Sequence, residues 1–242
     1  MRNFLWIFRH YMKKNFLTPA NLLVIGLPLV FVAAFYLMDN YFVDLLGIDI
    51  AFLSGIIVPM VLGFQFFGAG LTTDWLHHDM QGAIRARLLV SPVGTRMFYV
   101  GVVVAGWLFN VFYGVIVVAV TAVVFGGDFG NYGLLLVVLL ILSFFTQLVG
   151  LLVYFFTKDE KSGTRVTYVF GEIMIGLSVL PYTFNADGAV VAFFNRIPLP
   201  VGTGLNIIHN ENLPYNLAVL LGMVAVLAVV VFILGRLKHD SL

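Results

Sequence analysis

The sequence predicts an all-α membrane protein with six transmembrane helices. An amphipathic helix lies in the interface at the N-terminus, a second amphipathic helix sits on the cytoplasmic side between spans two and three, and re-entrant half-helices precede the sixth span. Three observations carry this reading. Hydrophobic residues make up 61% of the 242 and charged residues only 10%, whereas a soluble domain carries about 25% charged residues. The apolar residues gather into six runs long enough to cross about 30 Å of hydrocarbon, which takes about 20 residues at 1.5 Å each. The Lys and Arg residues fall almost wholly on one side of those runs.

Residues 2–17 form the first element. At 100° per residue Phe4, Leu5, Ile7, Phe8, Tyr11, Met12 and Phe16 share one broad face, with Asn15 as a polar exception. Arg2, Arg9, His10, Lys13 and Lys14 fall opposite, with Trp6 among them. Such a helix lies in the plane of the membrane surface, its aromatic face in the acyl boundary and its cations among anionic head groups. The other reading, the start of a secretory leader, is disfavoured by the roughly fifteen residues before the first apolar run and the lack of a small-x-small site after it.

Spans are expected near 20–38, 50–71, 97–125, 132–156, 166–184 and 213–234. Pro28 and Pro59 kink the first two, which a membrane helix tolerates when neighbours re-satisfy the freed carbonyl. Between spans two and three lies the polar island 74–96. Leu76, Met80, Ile84 and Leu88 recur every four residues there, with Ala83 and Ala86 alongside, and Pro92 ends the helix. Asp74 and Asp79 make this helix a poorer lipid ligand than residues 2–17, so a protein contact is expected. Before the sixth span, residues 185–212 contain an apolar Ala189–Phe194 run too short to cross, then Arg196, Pro198, Pro200, Gly202, Gly204 and a polar stretch. They read as re-entrant or capping half-helices, or as a plain loop.

Orientation follows from the cations. The N-terminus, 72–96, 157–165 and 235–242 hold twelve of the thirteen Lys and Arg residues, leaving only Arg196 on the other side. By the positive-inside rule both termini and the 74–96 island are cytoplasmic, in a multi-pass protein of the plasma membrane.

Several chemistries are excluded by absence. Without cysteine there is no disulfide or thiolate metal site. No G-x-x-x-x-G-K-[ST] loop is present to cradle nucleotide phosphates; Gly202-Thr-Gly204 lacks the lysine. Gly176-Leu-Ser178 resembles part of an intramembrane protease motif, but Val179 stands where glycine is needed and the sixth span has no histidine base. His77 and His78 lack the H-E-x-x-H pattern. The chain is therefore read as a non-enzyme with no metal or cofactor of its own. Its net charge of +1 says little by itself; the bilayer is its surrounding, and no nucleic-acid partner is expected.

Polar residues inside spans cost free energy against lipid and tend to face a partner or cavity. Gln65, Asn110, Gln147 and Glu172 qualify, and Phe67 and Tyr113 stand near them as aromatic candidates for a substrate route. Gly63, Gly68, Gly70 and Gly114 among these aromatics suit close helix or dimer packing. Glu172, an acid within the fifth span, also supports another reading, an ion- or proton-coupled carrier.

From end to end the pattern resembles the membrane (permease) subunits of type-2 ATP-binding-cassette (ABC) exporters. Members commonly carry, in the cytoplasmic helix after span two, an acidic residue, then Gly-Thr-Leu-Glu, a leucine pair and Ser/Thr-Pro followed by a basic residue. Asp79, Gly82, Leu88, Leu89, Ser91, Pro92 and Arg96 correspond, with Ala83 and Ile84 as conservative replacements. Arg85 departs from the pattern by reversing the charge of the usual Glu.

The resemblance implies that 74–96 is a coupling helix seated on separate ABC ATPase subunits, through Asp79, Gln81, Gly82, Arg85, Arg87, Leu88, Ser91 and Pro92. It implies a homodimer, or a heterodimer with a related permease, with ATP and Mg held by the partner ATPase. The implied activity is outward movement of an amphipathic drug, peptide or lipid, with Gln65, Phe67, Asn110, Tyr113, Gln147 and Glu172 as candidates for the pathway.

Overall fold

The computed structural model describes residues 2–18, 26–37, 50–81, 94–183 and 198–240. These residues are helical throughout apart from turns, and no strand occurs among them. In chain order the helices are α1 (Arg2–Leu17), α2 (Gly26–Leu37), α3 (Ile50–Phe64), α4 (Gly68–Gln81), α5 (Gly94–Phe125), α6 (Tyr132–Phe156), α7 (Glu160–Thr183), α8 (Pro200–Ile208) and α9 (Leu213–Asp240). Among the described residues four stretches are long and apolar enough to cross a membrane: Ile56–Met80, Thr95–Phe125, Tyr132–Phe156 and Leu213–Leu237.

Local sequence explains the ends of these elements. Between α5 and α6 the chain reverses through Gly126 and Gly130, both with φ near +65 to +69°, a region that residues with a Cβ seldom adopt. The Asp128 carboxylate accepts the Gly130 N–H at 2.8 Å, and the Asn131 side chain then caps α6 by accepting from Leu134 N. At the start of α7, Asp159 accepts from Ser162 N and Ser162 Oγ. Those two hydrogen bonds hold its carboxyl below the usual range.

The second apolar helix differs from its sequence reading. Pro59 lies inside α3, and a single 3₁₀ turn, Gln65–Phe67, joins α3 to α4. The helix then runs without a break to Gln81. Residues 74–81 are thus the polar end of this long helix, not the opening of a separate element after 71; residues 82–93, with Ile84 and Leu88, lie outside those described. Leu76 and Met80, half of the four-residue stripe, face inward against Ile7, Tyr11 and Phe98.

Burial sorts the helices by polarity. In the Ile56–Met80 span 89% of the most apolar window is buried, against 11% in Leu213–Leu237. The former carries Gln65, Thr72, Thr73, Asp74, His77 and Asp79, whose hydrogen-bonding groups lipid cannot satisfy, so it occupies the middle of the bundle. Residues 217–234 of α9 are wholly apolar, and this helix lies outside. α6 is the hub, touching α4, α5, α7, α8 and α9, while α1 packs along α5.

Two further helices, α8 and α1, are packed on the bundle. α8, nine residues long and started by Pro200 in its first turn, buries Val201, Leu205, Ile207 and Ile208 against its neighbours. It ends in a turn where Asn210 and Asn212 take positive φ. The preceding 184–197, with the Ala189–Phe194 run, lies outside the described residues. α1 is docked on protein through a narrow stripe, Ile7, Tyr11 and Asn15, while Leu5, Trp6 and Leu17 of the expected amphipathic helix are exposed.

Candidate functional site

Two groups of buried polar side chains converge on the middle helix. The first closes its polar end. Asp79 is 2% exposed, and its carboxylate accepts a hydrogen bond from the Tyr11 hydroxyl and a 3.3 Å ion pair from Lys14 Nζ. Burial, reinforced by the carboxylate, pushes the Tyr11 phenol far above its ordinary range, so it stays a neutral donor. One turn earlier the Trp75 indole N–H donates to Asn15 Oδ1 at 2.8 Å, and Lys14 Nζ lies 3.8 Å from the center of the Trp75 ring. Asp74 accepts from the Thr164 hydroxyl on α7. His77 Nε2 and Thr157 Oγ1, at the end of α6, share a hydrogen bond of 2.8 Å. Four residues within two turns, Asp74, Trp75, His77 and Asp79, thus tie α4 to α1 on one side and to α6 and α7 on the other.

Helix periodicity placed Asn15 on the apolar face of α1 as an exception, and here it meets the one indole able to donate to it. That misfit was the available signal. Tyr11, Lys14, Trp75, Thr157 and Thr164 gave none, because each is ordinary in its own segment and gains a role only from a residue 60 or more positions away.

The second group is a ladder of amides and hydroxyls deeper in the bundle. Ser143 Oγ donates to Gln65 Oε1 at 2.8 Å, Asn110 Nδ2 donates to Gln65 O at 3.0 Å and to Thr146 Oγ1 at 3.1 Å, and the Thr72 hydroxyl bonds Gln147 Oε1. All these side chains are at most 1% exposed. Each amide sits over a glycine of a facing helix: Gln65 over Gly114, Asn110 over Gly68, Gln147 over Gly106, where any Cβ would overlap it. Three amide atoms, Gln65 Nε2, Asn110 Oδ1 and Gln147 Nε2, are buried without a partner in the structure. The ladder begins at the 3₁₀ turn, a helix irregularity of the kind that often marks a hinge.

The structure therefore brings Gln65 and Asn110 together with Ser143 and Thr146, and sets Gln147 against Thr72. Tyr113 is buried beside this group in the core, and Phe67 is half-buried against Phe64 and Tyr168. Glu172 is not part of it. It is exposed on α7, on a stripe with Val166, Val169 and Ile173. Of the residues assigned to ATPase contact, Asp79 is buried and bonded within the chain; the side chain of Gln81 and residues Gly82, Arg85, Arg87, Leu88, Ser91 and Pro92 lie outside those described. The glycines expected to serve helix or dimer packing work inside the chain: Gly63 faces Ile175 and Gly70 faces Tyr168.

Replacing Asn110 with alanine removes a donor to two buried acceptors and is expected to cost about 1–3 kcal/mol of stability. Reversible unfolding in mixed micelles measures this; an unchanged midpoint would mean that the ladder contributes no stability.

Among the described residues no cluster of three or more His, Asp or Glu side chains could hold a metal ion. No protein-family model matches the chain, and no curated protein matches it.

Proposed function

We propose that the chain is the membrane-spanning subunit of an ABC exporter, with six spans and both termini in the cytoplasm of a plasma-membrane assembly. Two copies, or this chain and a related permease, pair around a pathway for an amphipathic substrate, and separate ATPase subunits dock below. The observation that carries the reading is the closure at the polar end of α4. A buried carboxylate shared by Tyr11 and Lys14, with the Trp75–Asn15 and Asp74–Thr164 bonds, makes α1, α4 and the start of α7 one mechanical unit. A push delivered to residues 82–93 by an ATPase would move that unit as a whole, and the 3₁₀ turn and the amide ladder lie directly above as the place where the helix can flex. The charge asymmetry of the sequence, with cations gathered at this end, supports placing it in the cytoplasm.

The test is co-purification with an ATPase encoded in an adjacent reading frame. Leu88→Asp or Gly82→Asp is expected to abolish capture while membrane insertion stays normal; retained capture would sink the assignment. Glu172 supports a second reading, an ion- or proton-coupled carrier, because an acid exposed on a helix face with two valines and an isoleucine needs a proton, a cation or a partner. Substrate movement in vesicles that lack any ATPase would favor the carrier.

A further inference from the structure

A groove of about 320 Å³ opens on the surface of the bundle between α5, α6 and α9. Its walls are apolar, formed by residues such as Val100, Val104, Leu148, Phe155, Ala228 and Phe232, and Arg96 and Arg236 line the same groove. Val100 and Phe232 are 52% and 54% exposed, so the groove is open to whatever surrounds the bundle. All three walls belong to helices long and apolar enough to cross a membrane, so its occupant comes from the bilayer.

The charge is at one end only. Arg96 stands in the first turn of α5 and Arg236 near the end of α9; on those helices the walls reach Val104 and Ala228, eight positions further in, and on α6 they run from Phe155, beside Tyr99, to Phe144, beside Trp107. Eight to eleven residues at 1.5 Å give a depth of about 12–16 Å, about one leaflet of a hydrocarbon layer about 30 Å thick. Neither arginine makes an ion pair among the described residues. The Arg236 guanidinium lies over the Phe232 ring, 4.4 Å from its center, which keeps it at the groove mouth.

We infer that this groove is a binding site for an anionic phospholipid, with one acyl chain along the apolar walls and the phosphate between Arg96 and Arg236. Guanidinium groups suit phosphate because they can donate two parallel hydrogen bonds to it. A second copy of this chain fits less well: a two-fold contact on this face would bring Arg96 and Arg236 against the same two cations of its partner. The inference needs only that α5, α6 and α9 cross a bilayer, so it stands or falls separately from the ATPase-coupled reading.

Native mass spectrometry of the full chain with equimolar phosphatidylglycerol and phosphatidylcholine tests it. The wild type is expected to hold phosphatidylglycerol at least tenfold in preference, since each arginine near the surface is worth about fivefold. Arg96→Gln/Arg236→Gln should lose most of that preference, whereas Arg165→Gln, a cation elsewhere on the surface, should keep it. Gly235→Leu fills the groove beside Phe155 without touching either charge and should lose the bound lipid itself. Circular dichroism of each variant verifies the helical fold. Equal retention of the two lipids by the wild type would overturn the proposal, as would an unchanged preference in the double variant. Displacement of the lipid by equimolar inorganic phosphate would instead show a free-anion site, and a dimer mass strengthened by removing the arginines would show that a second copy covers the groove; either outcome rejects it.

Discussion

Asp79→Ala is expected to destabilize the protein by about 3 kcal/mol, the low end of the cost of leaving one member of a buried ion pair uncompensated. The low end applies because Lys14 is 22% exposed and can turn toward water, whereas Tyr11 cannot. Its hydroxyl stays buried at the α1–α4 contact without its acceptor, and that loss adds to the cost. Asp79→Asn keeps an acceptor for Tyr11 and loses the charge, so it should fall between. The decisive measurement is a double-mutant cycle with Lys14→Ala, read from unfolding in mixed micelles. A coupling of about 1 kcal/mol or more is expected, and strictly additive losses would show that Lys14 and Asp79 do not act as a pair.

Gly150→Leu is expected to have the largest packing effect in the bundle. A Cβ at Gly150 would overlap the main-chain carbonyl oxygen of Ala69, with the Ala69 carbonyl carbon and Cα at 3.2 and 3.3 Å. These are backbone atoms of α4, so no side-chain rotation relieves the overlap and the two helices must separate. Separation also breaks the 2.9 Å bond from Thr73 Oγ1 to Gly150 O and loosens the Thr72–Gln147 contact. Overpacking of this kind costs about 1–3 kcal/mol, and the lost hydrogen bonds bring the expected total to about 3–4 kcal/mol. Gly222→Leu is the matched control, since nothing lies within 4 Å of a Cβ there. It should be neutral or slightly stabilizing through helix propensity. Equal behavior of the two variants would mean that the close α4–α6 approach is not maintained in the membrane.

Both predictions concern contacts that pattern reading reached only in part. The apolar runs at 97–125, 132–156 and 213–234 correspond closely to α5, α6 and α9, because hydropathy and helix length are properties of a contiguous segment. The polar end of α4 was harder. Asp74, His77 and Asp79 read as a departure from the membrane when each is weighed against lipid, yet they are paired inside protein, with Thr164, Thr157, Tyr11 and Lys14. A segmental hydropathy sum cannot register a partner 65 or more residues away. The same limit explains the amides. Gln65, Asn110 and Gln147 stand out in sequence as polar residues within spans, but only packing shows that each occupies the space above a facing glycine. Glu172 shares their polarity and none of their surroundings.

The sequence by itself determined that this chain is helical, that much of it needs an apolar solvent, and which runs are long enough to cross a membrane. Those properties follow from composition and from the rise of a helix, neither of which depends on neighbors. Tertiary structure alone decided that the second apolar helix continues through residue 81, that α1 is pinned to it, and that two arginines 140 positions apart meet at one groove. Such pairings arise from how separate helices pack, and the free energy that selects them is spread over many weak contacts that no single segment contains.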